Sequence, residues 1–171
     1  VRDFDCEQGN YCRTINFTSE GDLLIGCSGY ALLFDMKKYS QKYSERISDY
    51  NVNVIQTAIE VINHGLPHLL VMSDSSAVYK LDSRLQNKSQ LTVVDKAFSK
   101  GTSGLTALKD MLVLTNCGCD ISIISMSSGT RKDYNIPNTI CIHSICTHKN
   151  GHIVTLDSIK GQVSMYQVLN T

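Results

Sequence analysis

Four side chains able to bind a metal, Cys141, His143, Cys146 and His148, fall within eight residues, and Cys117 and Cys119 form a Cys-x-Cys pair. Thiolate and imidazole are the donors of structural zinc sites, but those sites are built on pairs such as Cys-x2-Cys, and this chain has none. In an extended segment side chains alternate, so Cys141 and His143 share one face and Cys146 and His148 the other. A four-ligand site then needs a bulge or turn between them. The expectation is buried thiols and an exposed turn histidine, with no metal and no cofactor. The seven cysteines are an odd number, so at least one thiol has no partner within the chain. A disulfide from Cys117 or Cys119 to a neighbouring unit would require an oxidising compartment.

Catalytic patterns fare no better. Gly26-Cys27-Ser28-Gly29 lacks both the G-x-S-x-G spacing and the following helix of a nucleophile elbow, and reads as a hairpin tip. Gly101-Thr102-Ser103-Gly104 lacks the Lys-Ser/Thr of a phosphate-binding loop and reads as a turn between structural units. The carboxylates Asp35, Asp74, Asp82 and Asp157 fall at equivalent strand ends rather than as a close pair, which suits turn capping more than acid-base work. No catalytic residue is expected.

Composition narrows the remaining classes. The chain has 171 residues, with Lys+Arg 16 against Asp+Glu 16, 42% hydrophobic and no Trp, which is the size and apolar content of an ordinary folded domain. A net charge of +0 removes the field on which nonspecific nucleic-acid or anionic-membrane binding relies. No apolar run approaches the ~18 residues of a spanning helix. Residues 1–10 have neither the basic nor the apolar region of a signal peptide. Two glycosylation triplets, Asn16-Phe17-Thr18 and Asn87-Lys88-Ser89, matter only in a secreted protein.

The elements that would carry any site are repetitive. Four times the chain shows a polar turn, a short apolar run, a small or polar tip and an alternating strand. The apolar runs begin at Leu23, Leu69, Met111 and Ile153, at separations of 46, 42 and 42 residues, the size of a propeller blade. An earlier strand precedes each run, at 12–17, 52–61, 104–108 and 140–147. Outer strands are expected at 42–47, 91–94 and 131–136, more polar than the inner ones, as in blades packed face to face. The last copy has no residues left for an outer strand, and Val1-Arg2-Asp3-Phe4-Asp5 could supply it. The spacing of Val54, Ile55, Ala58, Ile59 and Ile62 also fits a helix, which would make the domain α/β, and a β-sandwich is a further all-β option. The favoured reading is an all-β propeller of about four four-stranded blades, at 12–50, 51–94, 95–137 and 138–171, with 1–11 as a candidate closing strand. It would be a closed small ring or part of a larger one.

The segment 144–166, with its turn at Asn150-Gly151 and Asp157-Ser158 ending its second strand, resembles an NHL-type blade; Thr18-Ser19-Glu20-Gly21-Asp22 has the same shape. The third-strand Arg of that family is absent, with Lys160 and Gln162 near its place. NHL blades form the C-terminal propellers of tripartite-motif proteins, so the resemblance implies a substrate- or RNA-docking module beside a separate ubiquitin-ligase part. The tips between second and third strands would form the binding face, through Ser28, Tyr30, Asp74, Ser75, Asn116, Asp120, Asp157 and Lys160. These are polar and mixed in sign, as a protein contact surface requires. The expected function is noncatalytic recognition of a protein partner. A secreted carbohydrate-binding repeat protein is the alternative, RNA is weakened by the neutral charge, and an incomplete ring should self-associate.

Overall fold

The structure, a computed structural model, describes residues 11–47, 54–63, 65–73, 77–91, 102–116, 118–148 and 150–168. The chain divides into two compact units, Val1–Thr92 and Val93–Thr171, each built around two antiparallel sheets.

In the first unit, β1 (Thr14–Phe17), β2 (Leu23–Gly26), β3 (Tyr30–Asp35) and β4 (Ser40–Arg46) form one sheet in sequence order. The second sheet is β5 (Ile55–Asn63), β6 (Leu66–Ser73), β7 (Val78–Leu81) and β8 (Ser89–Gln90), again in order. A strand covered on both faces has no polar side, and the runs Leu23-Leu24-Ile25 and Leu32-Leu33-Phe34 read that way. Pairing of Leu24 with Leu33 puts both on the face toward the second sheet, where they pack with Ile55, Ala58, Leu69 and Val71. Leu23, Ile25, Leu32 and Phe34 form a second buried cluster with Cys27. Each fully buried Leu or Ile contributes roughly 1.5–3 kcal/mol, so this stacking of faces dominates the stability of the unit.

Glycine permits the closest approach. A Cβ on Gly26 would lie 2.5 Å from both Ile55 Cγ2 and Thr14 Cγ2. Hydrogen bonds run along the same seam: Asn16 Nδ2 donates to Ala58 O at 2.7 Å and Arg13 Nη1 to Gln56 Oε1 at 2.7 Å. A disulfide joins Cys12 to Cys27 across the open end of the β1–β2 ladder.

The second unit repeats the plan with β9 (Thr102–Leu108), β10 (Met111–Asn116), β11 (Asp120–Ser125) and β12 (Arg131–Asn135). Its last sheet holds three strands among the described residues, β13 (Ile142–His148), β14 (His152–Asp157) and β15 (Gln162–Gln167). Val113, Ile121 and Ile136 pack against Ile142, Ile145 and Ile153 between the sheets. A Cβ on Gly104 would lie 2.8 Å from Ile145 Cγ2, so this glycine has the spacing role of Gly26.

Several expectations are corrected. The segment with helical spacing is strand β5, and its spacing arises from a bulge between Ile55 and Thr57 that turns Ile55 and Ala58, three residues apart, onto one face. The outer strand expected at 91–94 is β8, Ser89–Gln90, too short and too exposed to leave an apolar pattern. Thr102, Ser103 and Gly104 lie inside β9 rather than in a turn. Among the described residues a disulfide joins Cys12 to Cys27, whereas Cys119, Cys141 and Cys146 are free thiols and none of the three is buried as expected; Cys117 lies outside the described residues. The carboxylates are not equivalent. Asp35 and Asp82 close third strands, whereas Asp157 closes a second strand, at the opposite end of its sheet. Residues 1–5, the candidate closing strand, lie outside the described residues.

Candidate functional site

The second-to-third-strand tips are fixed by the chain that follows them. In the first unit Cys27 and Tyr30 bond across the Ser28-Gly29 tip, Ile47 N donates to Gly29 O at 2.9 Å, and Ile55 N donates to Cys27 O at 3.4 Å. In the second unit Ile136 N donates to Cys119 O at 2.7 Å and Ile142 N to Gly118 O at 2.8 Å. The chain leaving one sheet therefore straps the tip of that sheet and then enters the next. Because Ile55 pairs with Ser73 and Ile142 reaches the end of β14, the tips of both sheets in a unit share one end.

Of the expected contact residues, Ser28 and Tyr30 lie on the first tip. Ser28 Oγ donates to Tyr11 O at 3.4 Å, and Tyr30 packs partly against the cluster around Phe34. Asn116 ends β10 and Asp120 begins β11, where Asn135 Nδ2 donates to Asp120 Oδ1 at 3.0 Å. Asp74 and Ser75 lie outside the described residues. Asp157 is 5% exposed, and the N–H groups of Ile140, Ile159 and Lys160 reach its oxygens at 2.8, 3.0 and 3.0 Å. These backbone donors, led by Ile140 and Lys160, outweigh burial and hold the carboxyl below its ordinary value of 3.8. Asp157 braces the tip, and its oxygens are occupied. Lys160 Nζ donates to Asn138 O, while Ile159, which the sequence pattern did not single out, is exposed on the same tip.

The structure joins the two tips of the second unit. Ile142 bonds Gly118, Ser158 N donates to Cys141 O at 3.1 Å, and Ile140 bonds Asp157, so residues 140–142 stitch one tip to the other. The result is a continuous polar rim presenting Asp120, Ile159 and Lys160. Capping carboxylates at the opposite ends do comparable work: Asp35 Oδ1 accepts from Lys37 N and Lys38 N, and Asp82 Oδ1 from Arg84 N and Gln86 N. Both sequon amides are also engaged, Asn16 Nδ2 with Ala58 O and Asn87 Nδ2 with Asp82 Oδ2.

The Cys and His residues near 141–148 do not assemble. The strand is bulged between Ile142 and Ser144, yet among the described residues no three His, Cys, Asp or Glu side chains converge as a metal site. What the sequence pattern missed is a groove of about 320 Å³ in the second unit, lined by Ile121, Ile123, Tyr134, Ile153, Tyr166 and Val168, with Gln167 as its polar member. Ile121, Ile123, Ile153 and Tyr166 had the periodicity of core residues and Tyr134 fell in an expected polar outer strand, and only their assembly across two sheets shows an opening.

No protein-family model and no curated protein matches the sequence. Solved structures do. The β-propeller domain of Cps50 (Swd1) from Myceliophteria thermophila matches with TM-score 0.70 and 17% identity over 92% of this chain and 54% of its own. The WD40 repeats of RRP9 match with TM-score 0.78 and 10% identity over 98% of this chain and 51% of theirs. The computationally designed protein Ika4 matches with TM-score 0.69 and 11% identity over 98% of this chain and 99% of its own. The chain thus spans about half the length of the natural propellers it matches. At these identities the likeness concerns architecture alone, and it agrees with the four successive sheets: the fold is a β-propeller of four blades.

Proposed function

We propose that the chain, taken as one propeller domain over residues 1–171, is a noncatalytic recognition module that binds a protein partner through its second-to-third-strand tips. The observation that carries this reading is the strapping of the tips. Backbone bonds from Ile47, Ile55, Ile136 and Ile142 hold them before any partner arrives, which lowers the entropy cost of binding. The rim combines a cation at Lys160, an anion at Asp120 and exposed apolar surface at Ile159, a mixture suited to a protein surface rather than a polyanion. WD40 propellers among the structural matches support a protein-interaction role. The shape of segment 144–166 supports the finer assignment to NHL-type blades.

The test is affinity capture with the wild-type chain, followed by titration of the purified partner against Ser28→Arg and Lys160→Glu. Both should weaken binding about tenfold or more, corresponding to about 1.4 kcal/mol, while circular dichroism is unchanged. Unchanged affinity in both variants would refute the tip face as the binding surface.

A further inference from the structure

The hairpin that opens the last sheet brings two histidines face to face. Three residues separate β13 from β14, and Gly151, with φ of 84°, takes the left-handed position that a hairpin loop of this length needs. The loop fixes the register, in which His148 and His152 are direct partners across the turn. Direct partners in an antiparallel ladder project to the same face, with Cβ atoms about 5 Å apart. Alternation along β13 puts Cys146 and His148 on one face; the register adds His152 to that face and sets Cys146 one row away, opposite Val154.

The two rings have centroids 6.5 Å apart and planes inclined by 53°, with His148 exposed and His152 half-buried. Two imidazole nitrogens about 2.0–2.1 Å from a tetrahedral ion put their ring centroids about 5 Å apart, so the pair has to close by little more than about 1 Å. Small rotations of the two side chains within their rotamer wells supply that movement. Asn150 N donates to His148 Nδ1 at 3.4 Å, a long contact. Coordination through Nε2 moves the ring proton to Nδ1 and gives up only that contact.

We propose that His148 and His152 chelate a divalent transition-metal ion of the imidazole-seeking class, zinc, nickel or copper, at the β13–β14 turn. Two protein nitrogens leave the remaining coordination positions to water or to a group on another molecule, so the site exchanges its ion rather than holding the fold. Magnesium and calcium, which take oxygen ligands, are rejected. His152 begins β14 and Asp157 ends it, so the site lies at the end of the sheet opposite the tips and does not depend on their role.

The probe is nickel, which binds imidazole without oxidising thiols, titrated into the full chain with its disulfide intact. One ion per chain should bind with half-saturation at about 10 µM, and its paramagnetism should broaden the amide resonances around His148 and His152 before any others. His148→Ala and His152→Ala should each weaken binding about tenfold or more with circular dichroism unchanged, since losing a ligand costs at least what losing an outer partner of a ligand does. His148 is exposed, so its variant decides the matter if His152→Ala misfolds. Cys146→Ser should keep the affinity within about threefold, and magnesium at about 1 mM should shift no resonance at the turn. Absence of binding at about 1 mM nickel, or an affinity unmoved by His148→Ala, would overturn the proposal. Loss of binding in Cys146→Ser would overturn it as well, by putting the ion on the thiol instead of the histidine pair.

Discussion

Leu85 gives the sharpest test of how the first unit is held together. Its side chain is 1% exposed within the core shared by the two sheets, yet its backbone has φ of 58°, left-handed, where a branched residue is costly. Truncation to Ala removes the plug without relieving the backbone, so the Leu→Ala cost in cores, about 2–5 kcal/mol, should apply in full; we expect about 3 kcal/mol. With a urea m-value of about 2 kcal/mol/M, the midpoint moves down by about 1.5 M, read by far-ultraviolet circular dichroism because the chain has no Trp. Leu85→Gly supplies the internal control. In a regular strand Gly is worse than Ala by roughly 0.5–1 kcal/mol, but here relief of the left-handed cost should make Gly equal or better by up to about 1 kcal/mol. A loss under about 1 kcal/mol for Ala, or a Gly variant clearly below it, would refute the plug or the backbone conformation respectively.

The other predictions concern the seams, the cross-link, acid and the exposed sheet face. Gly26→Ala should cost about 1–3 kcal/mol in the same urea assay, since its Cβ meets Ile55 and Thr14 at 2.5 Å; a neutral result would contradict that approach. Reducing the Cys12–Cys27 disulfide, whose cysteines are 15 residues apart, should lower stability by about 3 kcal/mol, and Cys12→Ser should lower it by a similar amount without reductant. Backbone donors lead in lowering the carboxyls of Asp35 and Asp157; at Asp82 burial is the largest single influence and raises the carboxyl, and the Gln86 and Arg84 amides, the Asn87 side chain and the Arg84 charge together outweigh it. A carboxyl lowered by folding contributes stability above its ordinary value of 3.8 and loses it as pH falls through the folded value. Melting temperature should therefore be level above about pH 5 and fall below about pH 4, and Asp157→Asn should shrink that fall. Val163 and Met165, 67% and 65% exposed, should tolerate Thr and Gln within about 0.5 kcal/mol while raising the solubility limit; a larger loss would mean that something covers that face.

The strands that carry the fold were legible because burial on both faces writes apolar runs into β2, β3, β6 and β10, and turns punctuate them at a nearly constant interval. The ambiguity at 52–63 had a definite cause. A bulge at Ile55–Thr57 puts residues three apart on one face, which imitates a helical period, and the bulge at Ile142–Ser144 does the same to Ile142 and Ile145 in the second unit. β8 was misplaced because its position is set by the Asp82 turn and by Lys88 rather than by its own side chains. The tips were located from Gly and small polar residues. The occupied state of Asp157 was not visible, since its donors Ile140, Ile159 and Lys160 converge only after the sheet forms. The groove left no sequence signal for the same reason: Ile121 and Tyr166 lie 45 residues apart, and each looks like core in its own strand.

A hydrogen-exchange footprint of the chain with and without its captured, purified partner bears on the recognition reading most directly. Protection is predicted at the tip amides 28–30, 118–120 and 158–161, with the opposite turns at 18–21, 36–39 and 82–87 unchanged. Protection confined to those opposite turns, or no footprint at saturating partner, would contradict the assignment of this propeller as a module that binds proteins through its strapped tips.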